Sequence, residues 1–354
     1  MSRQGSAIVV GVGLIGGSVG LALRQAGWHV TGVDHDETRL AEAVAVGAVD
    51  EAGAPGPCDL AVVATPVNVV AAGVRDALEA GAAIVTDVGS VKGPVAAEID
   101  DPRFVPGHPM AGSHQDGLMG ASADLFSGAT WVLCPTGTTD DAAFARVRDL
   151  VAGLGAQPIV MPAARHDTLV AVVSHVPHLT AATLMRLADE RAIEHRSLLR
   201  LAAGGFRDMT RIAAGHPAIW PAICHQNQAA ITEVLDDLIG ELTRLRGVVA
   251  DGGTDDLLEH LEAARHARRN LPTTAPQAEA LSEMRIPVLD RRGELAAIAT
   301  LAADLDVNIF DLEIAHSAEG PRGVVVVVVE SALAERLQGG LMAHGYRPSI
   351  RALD

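Results

Sequence analysis

The chain has few cations for its length. Its 354 residues carry 27 Lys plus Arg against 44 Asp plus Glu, a formal net charge of -17. A nucleic acid or an anionic membrane needs a basic face on its partner, so neither is expected as a partner here. An anionic ligand would have to be met by a local basic cluster, against the overall field. Cysteines are scarce as well: Cys58, Cys134 and Cys224 are widely spaced and form no disulfide or metal pattern. Reduced thiols, and with them a cytoplasmic location, are expected. Aromatic residues make up 3% of a chain otherwise rich in Ala, Val and Gly, the composition of a soluble globular protein. The uncharged stretch 7–23 comes nearest to a long apolar run. Five glycines interrupt it and it ends as an amphipathic helix, so neither a signal peptide nor a membrane span is read there.

A chain of this length exceeds one ordinary core and implies two or three domains. In the first half, short apolar runs at 7–10, 29–33, 60–64, 83–86, 129–133 and 158–161 alternate with helical spacing at 16–26, 37–46, 67–80 and 140–154. That alternation predicts an α/β fold with a parallel, doubly wound sheet. From about residue 165 the strand signals stop, and helical segments follow at 166–190, 193–203 and 220–246. Leu271-Pro272-Thr273-Thr274-Ala275-Pro276 reads as a linker. After it, strands at 286–289, 307–315 and 323–329, helices at 293–305 and 332–344 and an extended end spell βαββαβ. The expected division is 1–164, 165–271 and 283–354.

Gly11-Val12-Gly13-Leu14-Ile15-Gly16 follows a predicted strand and opens a helix, and Asp34 ends the next strand. In that context the glycines read as a dinucleotide turn of a Rossmann-type domain. Gly11 allows the tight turn, Gly13 lets backbone approach a pyrophosphate, and Gly16 permits close helix–strand packing. The helix start at Leu14 and Ile15 offers free N–H groups to phosphate. Asp34 would accept from the adenine ribose hydroxyls and repel a 2′-phosphate. No arginine follows until Arg39, so NAD is favoured over NADP.

Three further segments carry candidate chemistry. Gly107-His108-Pro109-Met110-Ala111-Gly112 is a Gly/Pro-punctuated turn holding an imidazole, the side chain that titrates nearest neutrality. Asp87-Val88-Gly89-Ser90-Val91-Lys92 ends a strand at the carboxyl edge of the sheet, where ligands bind in such folds. Lys92 reads equally well as a site residue or as a solvent-facing residue at a helix start. In Ser174-His175-Val176-Pro177-His178, positions 174 and 178 share a helix face. No third ligand accompanies the two histidines at metal spacing, so zinc is rejected. Which of the two points inward is open. Arg211 offers a planar fork for a carboxylate, or a surface ion pair with Asp208.

Together these motifs resemble the prephenate/arogenate dehydrogenase family of tyrosine biosynthesis, over almost the whole chain. The resemblance implies NAD-dependent oxidative decarboxylation, with a helical second domain that closes the cleft and pairs subunits into a homodimer. It implies His108 as the base that takes the substrate's hydroxyl proton, and Ser90 as the group that bonds both histidine and substrate. It places Thr65 and Pro66 along the cofactor channel and Asp87 at the cofactor edge. Ser113, Ser174, His175 and His178 would touch substrate, Arg211 would grip its carboxylate, and Trp220 and Asn227 stand at familiar offsets. Where relatives read Thr or Ser followed by an acid, this chain reads Ser113-His114. Arogenate carries an ammonium that an acid would pair, whereas His114 suits the keto acid of prephenate, so prephenate is expected. The last segment resembles a ferredoxin-like ACT module, a possible seat for tyrosine as effector. Asp290-Arg291-Arg292-Gly293 stands where such modules generally read Asp-Arg-Pro-Gly. Arogenate dehydrogenase, another hydroxyacid or imine dehydrogenase, and a non-catalytic NAD- and amino-acid-sensing regulator are the alternatives.

Overall fold

The computed structural model describes residues 5–113, 115, 117–194, 201–270, 281–289, 291, 293–316 and 322–352. The expected linker at 271–276 and most of the helix expected at 193–203 lie outside them. The chain divides into two compact units, Met1–Arg246 and Gly247–Asp354.

The first unit opens with β1 (Ser6–Val10), α1 (Leu14–Gln25), β2 (His29–Val33), α2 (Glu37–Ala45), β3 (Glu51–Ala52), β4 (Leu60–Val63), α3 (Val70–Glu79), β5 (Val85–Asp87), α4 (Gly93–Glu98) and β6 (Phe104–Val105). The six strands form one sheet in the order β3-β2-β1-β4-β5-β6, every neighbouring pair parallel. This is the doubly wound order that binds dinucleotides at the point where strand order reverses, here between β1 and β4. A strand buried on both faces must be apolar throughout, and β4 is. Leu60 and Val62 enter a core shared with α1 and α5, and Ala61 and Val63 enter one shared with α3 and α4.

The chain then adds β7 (Gly107–Pro109), β8 (Thr130–Leu133), α5 (Asp141–Gly153) and β9 (Gln157–Val160). β7 runs antiparallel to β8 and β8 parallel to β9, in a sheet of their own. Two expectations change here. The runs at 129–133 and 158–161 do not extend the large parallel sheet, and His108 lies on a short strand, opposite Val132, rather than in a turn. Pro109 is compatible with so short a strand because it sits at its end.

Helices follow: α6 (Ala163–Val170), a π-helical turn at Ala171–His175, α7 (Val176–Glu194), α8 (Gly204–Thr210), α9 (Trp220–Gln226) and α10 (Gln228–Ala250), whose last four residues belong to the second unit. The stretch Ala163–Ala192 is long and apolar enough to cross a membrane by length and composition. It nevertheless carries His166, Asp167 and His175, all buried. The buried apolar cluster of the helical region is small, Ala171, Val176 and Ile231, with Val170, Ala181, Ala188 and Ile223 buried outside it.

The second unit holds α11 (Thr254–Arg269), β10 (Leu281–Leu289), α12 (Glu294–Asp304), β11 (Ile309–His316), β12 (Arg322–Glu330), α13 (Ser331–Ala343) and β13 (Ser349–Ala352). The strands form one antiparallel sheet in the order β11-β12-β10-β13, with both sequence-central strands, β11 and β12, joined to β10's side. The run of valines on β12 sends Val325, Val327 and Val329 into a core with Ile298, Leu337 and Leu341.

Candidate active site

The glycine-rich turn is shaped by contacts that only glycine allows. Gly11 has φ +90, and a Cβ there would lie 2.6 Å from the Ala64 carbonyl oxygen. A Cβ at Gly16 would lie 1.8 Å from the Gly11 carbonyl oxygen. By contrast nothing lies within 4 Å of a Cβ at Gly13, the residue that precedes α1. No side chain caps α1, so the N–H groups at its start, from Leu14 and Ile15 on, have no capping partner. Thr65, beyond the end of β4, keeps a buried hydroxyl with no partner, and Pro66 next to it is exposed. An open cradle at a helix N-terminus with an orphaned hydroxyl beside it fits the pyrophosphate and ribose of a dinucleotide.

Asp34 serves this turn from behind. Its carboxylate accepts from Val12 N at 3.0 Å and from Asp36 N at 2.9 Å. Arg39, absent from the acid's immediate sequence, folds back to 3.5 Å from it. The nearest arginine therefore lies beside the Asp34 carboxylate, which the spacing did not show.

Asp87, expected at the cofactor edge, is wholly buried and engaged by protein donors: Gly89 N at 2.9 Å, Gly107 N at 3.2 Å and the Lys92 ammonium. Lys92 is wholly buried too, which removes the solvent-facing reading. It pairs with Asp87 and donates to the Gly107 carbonyl oxygen at 2.8 Å. A buried charge is tolerable only when paired and hydrogen-bonded, and both conditions hold. The pair clamps β5 to the residue before His108.

Behind His108 the structure assembles groups that the motif reading had not connected. His108 Nδ1 is 2.8 Å from His166 Nε2, with the rings edge to face, and His166 Nδ1 is 2.8 Å from Asp167 Oδ1. Asp167 also accepts from Lys92 N at 2.8 Å and Gly93 N at 2.7 Å, holding α6 against the start of α4. The Asn227 amide donates to the Asp167 carbonyl oxygen at 2.8 Å and lies 3.2 Å from His175 Nδ1. Burial, reinforced by the positive Lys92 and by His166 and His175, holds the His108 imidazole well below its ordinary pKa. It is therefore neutral at physiological pH and free to accept a proton.

Ser90 is half-buried between β5 and α4, and among the described residues no hydrogen bond joins it to His108, whose Nδ1 is held by His166. The π-helical turn ends at His175, and His178 follows in α7. His175 is buried, is pushed down to about 4 by that burial, and has Asn227 as its partner. His178 is half-buried and stacks on Trp220 with ring centroids 3.7 Å apart, while Ser174 is half-buried. Arg211 begins a 3-10 turn, is exposed, and has no ion-pair partner among the described residues, so the pair with Asp208 does not form. Ser113 is exposed and its hydroxyl accepts from Gln115 N at 3.1 Å. His114 lies outside the described residues. No group of three or more His, Cys, Asp or Glu among the described residues is placed to hold a metal ion.

His166, Asp167 and the burial of Lys92 were not read from the sequence. The one available signal was a His-Asp pair just ahead of an apolar run, 169–173, where a charge needs a buried partner.

Residues 19–160 match the nucleotide-binding domain of prephenate dehydrogenase, and residues 162–263 match the dimerization domain of prephenate dehydrogenase. The prephenate dehydrogenase of Bacillus subtilis is 31% identical over 340 residues, 92% of each chain. The cyclohexadienyl dehydrogenase of Zymomonas mobilis is 34% identical over 75% of this chain and 95% of its own length. The crystal structure of A. aeolicus prephenate dehydrogenase, in complex with hydroxyphenyl propionate and NAD+, superposes with a TM-score of 0.71 at 28% identity, over 77% of this chain and 99% of that one. With a relative above 30% identity aligned along nearly its full length, and with the glycine turn and His108 in place, the chain belongs to the prephenate dehydrogenase family.

Proposed function

We propose that the protein oxidises and decarboxylates prephenate to 4-hydroxyphenylpyruvate with NAD. The observation that carries this reading is a neutral imidazole, His108, whose Nδ1 is held by His166 and whose other ring nitrogen remains to face a ligand. When bound at the glycine turn, NAD supplies the hydride acceptor. His108 takes the proton of the ring hydroxyl as hydride leaves the carbinol carbon, a transfer that contributes about 10²–10⁴-fold when the base is well placed. The ring is then a dienone carrying a carboxylate on its quaternary carbon. Breaking that carbon–carboxylate bond releases CO₂, sends the electron pair through the ring to oxygen and makes the ring aromatic. His108 returns its proton to the resulting phenolate, so the base ends as it began.

Arg211, exposed and unpaired, is the cation for a substrate carboxylate, and His178 on Trp220 adds a polar edge beside it. Ser90, Ser113, His114 and Ser174 complete the proposed substrate contacts, and Gly11 to Gly16, Asp34, Thr65 and Pro66 the proposed cofactor contacts. Incubating the full chain with prephenate and NAD should yield NADH and CO₂ in equal amounts, with kcat/KM for prephenate above that for arogenate. A preference for arogenate would overturn the substrate assignment, and no NADH from either would overturn the dehydrogenase reading.

The second unit supports an ACT-like regulatory module, of ferredoxin-like topology, with tyrosine as effector. Its elements run βαββαβ, and Gly293, at φ +95, makes the strand-to-helix turn before α12. Arg292, which stands for the usual proline, lies outside the described residues. Tyrosine should inhibit without competing with prephenate, and Gly293→Val should abolish that inhibition while leaving basal turnover in place. A homodimer through the helical region is also proposed. Ile239 and Leu242 on α10 are 59% and 53% exposed, in keeping with a face that a second copy covers.

A further inference from the structure

His108 is one end of a connected set of buried polar groups. His166 is fully buried and Asp167 nearly so, and both belong to the first helix after the nucleotide-binding half. Both carboxylate oxygens of Asp167 already accept main-chain N–H groups, Lys92 N on Oδ1 and Gly93 N on Oδ2. The side chain is thus oriented as an acceptor, and His166 Nδ1, 2.8 Å from Oδ1, must donate to it. A neutral ring that donates through Nδ1 can only accept at Nε2. That nitrogen is 2.8 Å from His108 Nδ1, so His108 donates there and its own Nε2 bears no proton.

We propose that His166 and Asp167 are positioning residues for His108. They fix the tautomer whose Nε2 is bare toward the substrate hydroxyl, and they stabilise the imidazolium while it holds that proton. The logic is that of an acid–histidine pair orienting a catalytic base, with a second imidazole interposed. The other charged or titratable groups around His108 are Lys92, itself paired with Asp87, and His175, which is bonded to Asn227. Neither accepts from His108, so the tautomer is left to His166. The reaction returns the borrowed proton to the phenolate, and a buried pair therefore suffices. The proposal rests on the dehydrogenase reading for what the proton is, though not for where it sits.

The direct test is ¹⁵N NMR of the full chain labelled at histidine, with the His108 signals assigned by their loss in His108→Asn. The expected spectrum shows His108 protonated at Nδ1 and bare at Nε2, and a proton on Nε2 would overturn the proposal. This readout needs no turnover, so it stands even if prephenate proves not to be the substrate. Turnover supplies the second arm. His166→Leu, which removes the acceptor, should lower kcat by about a hundredfold with KM for prephenate changed less than about threefold. His166→Gln can offer a carbonyl oxygen to His108 and an amide to Asp167, and it should recover at least about tenfold of that loss. Equal losses in the two variants, or a Leu variant within about threefold of wild type, would reduce the pair to packing.

Discussion

In the nucleotide-binding half, β4 divides four consecutive buried residues between two cores, whereas the helical half gathers Ala171, Val176 and Ile231 into a small buried cluster and leaves Leu187, Ile239 and Leu242 51–59% exposed. The first half is stable from within. The second presents apolar surface outward, and one of its best-buried features is a polar cluster, His166, Asp167, His175 and Asn227. His108 stands on the densely packed half, where β7 and the Lys92–Asp87 pair hold its backbone, and the groups bonded to its ring come from the thinly packed half. Substitution of buried framework residues in the first half should therefore cost mainly stability, whereas substitution of exposed polar residues in the second should cost mainly substrate affinity.

Lys92→Met probes the first half most severely. It leaves the Asp87 carboxylate buried without its cation, a loss of about 3–5 kcal/mol that thermal or denaturant unfolding would read directly. Stability equal to wild type would mean that the pair is no part of the framework. On the helical side, Arg211→Ala removes an exposed cation with no partner to strand. Unfolding should be unchanged, while KM for prephenate rises by the equivalent of about 1.5–3 kcal/mol, the worth of a charged hydrogen bond. A changed midpoint with an unchanged KM would reverse the comparison.

The same contrast has a pH signature. His175 is buried neutral, its pKa pushed down from 6.5 to about 4. Between those values the unfolded chain binds more protons than the folded one, so this group makes stability fall as pH drops from 6.5 toward 4 and level off below. His175→Gln should flatten that part of the curve, and an unaltered slope would assign it to other groups. The smallest effect is expected at the ribose corner. Asp34→Ser removes the charge 3.5 Å from Arg39, a pair whose carboxylate is buried but whose guanidinium is 40% exposed, so that solvent screening keeps its worth to about 1 kcal/mol. Preference for NAD over NADP should relax by roughly fivefold or less. A variant as selective as wild type would place discrimination elsewhere.

What could be read in advance follows the range of the physics involved. The glycine turn, Asp34 and the alternation of strand and helix are local signals, because each is set by backbone sterics or by the burial of a short run. His108 was legible as a candidate from its hexapeptide, though its strand was not, since β7 is three residues long and exists through pairing with β8. The His166–Asp167 pair acts across 58 residues of sequence and gives no periodic signature. Lys92 looked like a helix-start residue because nothing local shows that Asp87, five positions earlier, closes over it. The π-helical turn that ends at His175 was likewise invisible, being one extra residue in an otherwise helical pattern.

The central claim is that His108 is the base, served by a scaffold that binds NAD independently of it. His108→Asn, assayed side by side for NAD affinity and for turnover of saturating prephenate, tests it most directly. The account predicts an unchanged Kd for NAD and a fall in kcat of about two orders of magnitude or more. NADH production near the wild-type rate in that variant would contradict it.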